Sequence, residues 1–235
     1  MAFKDDLASE IDDILEQPWD VREGTVIPEN DDVALAGGAV KLEVTMLYAD
    51  LVDSTEIAIY DHRVAARVFK SFLASCTKII RYREGEIRSF DGDRVMGVFI
   101  GKSKNTSAAK AALNINYAFL KLLKPKLEAR YQVFANGTYK LAHCVGIDRS
   151  EVMVVRAGIR NNNDLVWVGR APNVAAKLSA IRADPYNSWI TADVYDYMHD
   201  EVKKSTDGQS MWEPRINVPA VPGGSAYRSS WYWAP

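Results

Sequence analysis

Residues 86–100, EIRSFDGDRVMGVFI, read as two short apolar strands, Glu86–Phe90 and Arg94–Ile100, joined by Asp91-Gly92-Asp93. An Asp-Gly pair between such runs is a strong hairpin signal, because glycine accepts the positive φ that a tight turn demands. Working outward, Val64, Val68, Phe69, Phe72, Cys76, Ile79 and Ile80 recur at spacings of three and four, which predicts a long amphipathic helix over about Thr55–Glu84. Before it, Leu42–Ala49 (LEVTMLYA) is rich in apolar and β-favouring residues and predicts a central strand, closed by the turn Asp50–Thr55. A second helix is predicted over Thr106–Leu123, with Pro125 limiting its end because proline has no N–H to donate. Lys140–Ile147 and Val152–Arg156 read as strands, Asn161–Asn163 as a turn and Leu165–Val168 as a further strand. Pro172 is placed to start a helix continued by Asn173–Ile181. Trp189–Thr191 reads as a short strand, Ala192–Val202 as helical, and Met211–Trp233 as a terminal hairpin around Val-Pro-Gly-Gly-Ser, with Trp231 and Trp233 on one face of its last strand. The order β-α-β-β-α-β with later additions is the ferredoxin-like arrangement, helices over one face of an antiparallel sheet, and the fold class is α+β.

The 235 residues carry 29 basic and 31 acidic side chains, a formal charge of −2, and 48% are apolar. Near-neutral charge argues against a nucleic-acid coat or a binder of anionic membranes, so neither nucleic acid nor membrane is an expected partner. No run approaches the ~20 apolar residues of a membrane span. The start, MAFKDDLASEIDDILEQ, is acidic and lacks the apolar core of a secretory signal. Cys76 and Cys144 read as buried thiols rather than as a disulfide, and the expected location is cytoplasmic. Phe3, Leu7, Ile11 and Leu15 at spacing four predict a helix within residues 1–20, while Pro18–Gly38 reads as a linker. Residues 1–40 are therefore expected to form an arm, its acidic helix either packing in a dimer or solvated, on a domain covering residues 41–235.

Two carboxylates carry the chemical signal. Asp50 closes the first strand and Asp93 sits in the hairpin turn. In a βαββ unit these strands are neighbours, so the carboxylates converge at one edge and repel unless a cation lies between them. Carboxylate oxygens are hard ligands suited to Mg²⁺ or Mn²⁺, and two such ions can activate an attacking hydroxyl and stabilise a leaving oxygen. The intervening Leu51-Val52-Asp53-Ser54-Thr55 would place amides at a helix N-terminus, a natural seat for phosphate. On spacing alone the alternative stays open that Asp50 caps the helix and that Asp91 and Asp93 merely shape a turn.

Three motifs then carry a resemblance. Tyr48-Ala49-Asp50-Leu51-Val52-Asp53-Ser54-Thr55, Gly92-Asp93-Arg94-Val95-Met96-Gly97-Val98-Phe99 and Trp167-Val168-Gly169-Arg170-Ala171-Pro172-Asn173-Val174-Ala175-Ala176-Lys177-Leu178 resemble, in order, three motifs of the class III nucleotide cyclases. The resemblance implies that Asp50, Asp93 and the main-chain carbonyl of Leu51 hold two divalent ions, Mn²⁺ or Mg²⁺. Ser54 and Thr55, at the helix start read above, are expected at the triphosphate, and the resemblance implies that Asn173 orients the ribose and that Lys177 neutralises charge on the α-phosphate. It also implies a homodimer with sites at the interface, metals from one chain and the Asn/basic pair from the other.

Two departures are informative. Position 177 is Lys where most relatives carry Arg, so it supplies charge without a bidentate fork, and Arg170 is a candidate helper. The positions where purine cyclases read the base are Ser89 and Val166, neither a charged specifier. A smaller base is then attractive, with Tyr48 and Arg88 flanking the pocket; a guanidinium suits the carbonyl acceptors of uracil. The run from Arg88 to Phe99 is similar to the pyrimidine cyclases of bacterial Pycsar antiphage systems. That similarity implies conversion of UTP to 3′,5′-cyclic UMP and pyrophosphate, the messenger acting on a separate effector. The alternatives are an adenylate cyclase with an atypical base pocket, a cytidylate cyclase or a catalytically silent nucleotide-binding module. His62, His143 and His199 have no metal-ligand spacing, and Arg215 and Arg228 are weaker candidates for triphosphate contact.

Overall fold

A computed structural model describes residues 2–235. In chain order its elements are α1 (Phe3–Glu16), β1 (Asp20–Glu23), β2 (Gly38–Leu51), α2 (Ser54–Tyr60), α3 (His62–Tyr82), β3 (Glu86–Asp91), β4 (Arg94–Phe99), α4 (Lys104–Tyr117), α5 (Lys124–Arg130), α6 (Gln132–Ala135), β5 (His143–Ile159), β6 (Asn162–Gly169), α7 (Arg170–Ser179), β7 (Ser188–Thr191), α8 (Ala192–Tyr197), β8 (Glu213–Arg215) and β9 (Ala226–Ser229). They divide into two units, one of the residues up to Leu42 together with Glu151–Gly169, the other of Glu43–Ser150 together with Arg170–Pro235.

In the smaller unit β1 runs parallel to the start of β2, from Asp20 opposite Gly38 to Glu23 opposite Lys41. The end of β5 and β6 form an antiparallel ribbon from Val152 opposite Gly169 to Ile159 opposite Asn162. Its turn uses Asn161 at φ 69°, a conformation asparagine tolerates.

In the larger unit the strands follow the order β3-β4-β2-β5-β7-β9-β8. The first four are the ferredoxin-like core, with β4 antiparallel to both β2 and β3. Leu47, Ala49 and Leu51 alternate along β2 into a core shared with Val68, Phe72 and Ile80 of α3 and with Ala108, Ala112 and Ile115 of α4. Alternation at period 2 meeting helical periodicity across one sheet face is what the sequence pattern demands.

Several predicted boundaries move, each for a local reason. The single helix over Thr55–Glu84 is broken at Asp61, which is extended (φ −159°). Its carboxylate accepts hydrogen bonds from the amides of Arg63 and Val64 at 2.7 and 3.0 Å and starts α3 afresh. Pro125 does not end the second helix. Ala118–Leu123 forms a π-helical turn, and Pro125 falls in the first turn of α5, where no donor is needed. Lys140–Ile147 and Val152–Arg156 are not two strands; one strand, β5, starts at His143 and runs on through the second, because polar residues between them have partners. Buried Asp148 is held by Thr191 and Arg170, and Ser150 accepts from the Ala171 amide. The predicted helix Ala192–Val202 is shorter, α8 being followed by a 3₁₀ turn at Asp200–Val202.

The terminal hairpin forms from β8 and β9, but Trp231 and Trp233 lie beyond it rather than on a strand. Buried Asn114 and Asn116 of α4 tie this tail down. Asn114 donates to the Trp233 carbonyl at 3.0 Å, Asn116 donates to the Ser230 and Trp231 carbonyls, and the Trp233 amide returns a bond to Leu113. Both indoles pack against the core. Cys76 and Cys144 are free and buried, and burial pushes the Cys144 thiol up to about 12.

One close approach fixes the seat of α7. A Cβ on Gly146 of β5 would collide with the Ala175 carbonyl and the Ser179 amide of that helix, so the helix backbone lies directly on the strand.

His143 couples stability to pH. The ring lies among Phe72 and Phe119, fully buried, and neither nitrogen has a hydrogen-bond partner. Burial alone lowers its pKa to about 3 from 6.5. The unfolded chain takes up a proton below pH 6.5 that the folded chain refuses. Stability contributed by neutral His143 is therefore full above pH 6.5 and is lost as pH falls, at up to roughly 1.4 kcal/mol per unit. His143→Phe is expected to flatten the acid side of a urea-denaturation stability profile between pH 6.5 and 4; an unchanged slope would assign the acid sensitivity elsewhere.

Candidate active site

β2, β4 and β3 bring the site together through their register. Tyr48 opposes Met96, which opposes Ser89, and Arg94 opposes Asp91. Directly paired residues share a sheet face, as do alternate residues along a strand. Tyr48, Asp50, Arg94, Met96, Ser89 and Asp91 therefore line the face opposite the helix-covered core that Leu47, Ala49, Leu51 and Val95 enter.

Asp50 lies one residue before the end of β2 with its side chain 15% exposed, and its Oδ2 accepts a hydrogen bond from Nη2 of Arg182 at 3.2 Å. Burial raises its pKa, the nearby Asp93 raises it further, and Arg182 and Arg94 pull it back. Asp93 follows Gly92, whose φ of +62° makes the turn. Its Oδ2 is buried and has no hydrogen-bond partner. A carboxylate oxygen without a donor, close enough to a second carboxylate to raise its pKa, is an environment that a hard divalent cation satisfies. Among the described residues no group of three or more His, Cys, Asp and Glu could hold a metal ion. The two aspartates would thus be the anionic ligands, leaving positions for the Leu51 main-chain carbonyl, water and phosphate oxygens, as Mg²⁺ prefers. The residues present fit the cations.

Beyond Asp50 the chain turns at Asp53, which adopts the left-handed conformation (φ 54°) and begins the short α2. Ser54 is half-buried and Thr55 exposed at that start. Alongside lies a cavity of about 170 Å³ lined by Val52, Asp53, His143, Arg182 and Asp184, among others.

The base-pocket candidates divide. The Tyr48 hydroxyl donates to the Met96 sulfur at 2.8 Å, and its ring carries the Arg94 guanidinium 5.6 Å from its centroid. Burial raises its pKa. Ser89, half-buried, completes the cross-strand row. Arg88 stands at a register irregularity between Ile87 and Ser89, with its side chain 12% exposed and 3.6 Å from Glu86. Val166 belongs to the smaller unit, on β6 opposite Val155 and 44% exposed.

Asn173 and Lys177 are exposed on α7, four residues apart and so on one face. Arg170, considered as a helper for Lys177, is otherwise engaged: it grips buried Asp148 at 3.1 and 3.2 Å, donates to the Arg149 carbonyl and pairs with Asp193. It pins the start of α7. Arg228 is likewise occupied, 3.1 Å from Glu213 and stacked 3.5 Å from the Tyr186 centroid, while Arg215 is exposed on β8.

Arg182 is the site residue that sequence reasoning missed. It lies outside every motif, three residues past the end of α7, where its Nη1 donates to the Ser179 carbonyl at 2.9 Å. The one available signal was a basic residue just after a helix, a usual C-terminal cap. Its second role, as counter-ion to Asp50, depends on a contact 132 residues away in sequence.

No family model matches the sequence. It is 43% identical over 235 residues to a protein of Rhodovulum sp. (strain MB263) named uridylate cyclase, covering 99% of this chain and 98% of that one. A uridylate cyclase of Xanthomonas perforans is 39% identical, with 99% of both chains covered. Among solved structures, a bacterial light-regulated adenylyl cyclase matches with a TM-score of 0.66 at 21% identity, over 83% of this chain and 54% of that one. The adenylyl cyclase CyaB of P. aeruginosa matches with a TM-score of 0.63 at 22% identity, over 81% of this chain and 95% of that one. The structural likenesses establish the fold.

Arg182→Gln removes the positive partner of Asp50. It is expected to lower the melting temperature in EDTA by about 2–4 °C or less, the scale of a partly exposed ion pair. The upward shift on adding Mg²⁺ or Mn²⁺ is expected to grow, because the cation then meets an unneutralised carboxylate pair. Thermal melts with and without metal check this, and equal metal-induced shifts in both proteins would separate Arg182 from the cation site.

Proposed function

The chain belongs to the uridylate cyclase family of class III nucleotide cyclases, and we propose that it converts UTP to 3′,5′-cyclic UMP and pyrophosphate. The observation that carries the reading is the paired carboxylate site: Asp50, its pKa raised by burial and by Asp93, and Asp93 with a buried oxygen that no donor satisfies. The near-full-length relatives named for uridylate cyclisation support the choice of substrate.

Asp50 and Asp93, with the Leu51 carbonyl, would hold two divalent cations, Mn²⁺ or Mg²⁺. When bound, these supply Lewis acidity toward the ribose 3′-hydroxyl and charge neutralisation at the triphosphate. Ser54 and Thr55 offer hydroxyl and amide donors to phosphate oxygens. Asn173 orients the ribose, and Lys177 places its ammonium against the charge that grows on the α-phosphate. The assembly in this reading is a homodimer in which Asn173 and Lys177 of one copy complete the carboxylate site of the other. The arm of residues 1–40 attaches to a catalytic domain of residues 41–235.

For the base, Ser89 and Val166 replace the charged specifiers a purine site would need, and Tyr48 frames the pocket beside Met96. Arg88, beside Glu86 on β3, would turn its guanidinium to a uracil carbonyl, an acceptor that suits it. The biological setting we propose is antiphage defence in the cytoplasm, the cyclic nucleotide acting on a separate effector. Among the described residues no helix is long and apolar enough to cross a membrane.

The test is a competition of ATP, GTP, CTP and UTP with Mn²⁺, with products identified by mass, for the wild-type protein and Asp50→Ala. Cyclic UMP is expected as the main product, reduced by about a hundredfold or more in the variant. Cyclic AMP as the main product would overturn the base assignment, and equal activity in Asp50→Ala would overturn the metal assignment.

A further inference from the structure

Two complementary helical seams in this chain are uncovered. The first is on α1, none of whose residues is buried. Phe3, Leu7, Ile11, Ile14 and Leu15 fall on one side of it, and Phe3, Ile14 and Leu15 are 81%, 59% and 77% exposed. The rest of its surface is acidic, carrying Asp5, Asp6, Glu10, Asp12, Asp13 and Glu16 against a single Lys4. A 14-residue helix whose apolar face is this exposed gains little tertiary stabilisation in the isolated chain.

The second seam is on the outer face of α3. Ala66, Phe69, Leu73, Ala74 and Thr77 recur at helical spacing and, with the exposed tip residue Phe90 of β3, line an open groove of about 610 Å³. Its charged contributions are both cationic, Lys70 and Lys78. The apolar stripe on α1 spans residues 3–15 and that on α3 spans residues 66–77, each about 17–18 Å at the α-helical rise. One helix is therefore apolar with an acidic border, the other apolar with a basic border, and their lengths match.

We propose that α1 of one copy docks in the α3–Phe90 groove of a second copy, apolar stripe against apolar stripe, with Lys70 and Lys78 facing the acidic border. An anionic lipid surface fits α1 poorly, because amphipathic helices that lie on membranes carry Lys and Arg where α1 carries Asp and Glu. The contact is distinct from the pairing of the carboxylate site of one copy with the Asn/Lys pair of another. Association through α1 and α3 can fail while catalytic pairing survives, and the reverse.

The experiment uses two full-length proteins, one carrying only Leu7→Cys and the other only Ala74→Cys, mixed and oxidised with a diamide reagent. The native Cys76 and Cys144 are buried and serve as the unreactive background. The expected result is a disulfide-linked species of twice the 26.2 kDa chain mass in the mixture, stronger than in either protein alone, with reduction restoring the monomer. Lys70→Glu with Lys78→Glu is expected to weaken that cross-link about tenfold or more, and added salt to weaken it in the wild-type background. The idea is overturned if the mixture yields no more linked dimer than the separate proteins while a Leu7→Cys/Ala74→Cys chain closes on itself as a monomer. Linkage insensitive to the charge reversal and to salt, or α1 partitioning onto anionic vesicles in preference to the groove, would overturn it as well.

Discussion

Asp50 near the end of β2 and Asp93 in the turn before β4 are like charges that the pairing of β2 with β4 brings close. β2 and β4 are locked in register from Thr45 opposite Phe99 to Ala49 opposite Val95, and the inward residues of that ladder sit in the core beneath α3 and α4. Burial raises the pKa of Asp50, and the nearby Asp93 adds to the rise. Arg182 offsets part of it by donating to Asp50, while Asp93 keeps one oxygen without a donor. A cation entering there would meet negative charge that the fold has already assembled.

The chain handles its other charges differently. Asp148 is fully buried in β5, yet Arg170 and Thr191 satisfy it, and Asp193 shares the same guanidinium. Burial raises the Asp148 pKa and these donors lower it. That network fastens α7 to β5 and to α8, and Lys177, one helix turn and more away, stays exposed. A planar guanidinium suits the structural post, where several acceptors must be met at fixed angles. A flexible ammonium suits the exposed one, where it stays solvated and is free to turn.

How much of this was legible depended on whether the deciding contact was local. The Asp91-Gly92-Asp93 turn announces itself within three residues, and Leu47, Ala49 and Leu51 declare their face by alternation, so the core topology and the carboxylate pair follow from pattern. Asp61 broke a helix that periodicity ran through, because a capping side chain overrides a period without disturbing it. Pro125 misled in the opposite sense, since a π-helical turn upstream removed the reason for it to stop the helix. The polar run Asp148-Arg149-Ser150 separates two predicted strands, yet Arg170 and Thr191 hold Asp148, the Ala171 amide donates to Ser150, and the strand continues. Arg182 was illegible for the same reason: its partner is remote in sequence and its neighbours form no motif.

Gly146 carries a consequence of another kind. The backbone of α7 rests on β5 where any side chain would intrude between them, so the helix that bears Asn173 and Lys177 is indexed to the sheet by an absence. Drift in sequence is then channelled. Ser89 of β3 and Val166 of β6 sit in mid-ladder opposite Met96 and Val155, one half-buried and one exposed, where a change of side chain asks little of the backbone. The carriage beneath the Asn/Lys pair tolerates only one residue type. Substitution at such strand positions alters a surface, whereas any side chain at Gly146 would lift the helix that carries Asn173 and Lys177 off its strand.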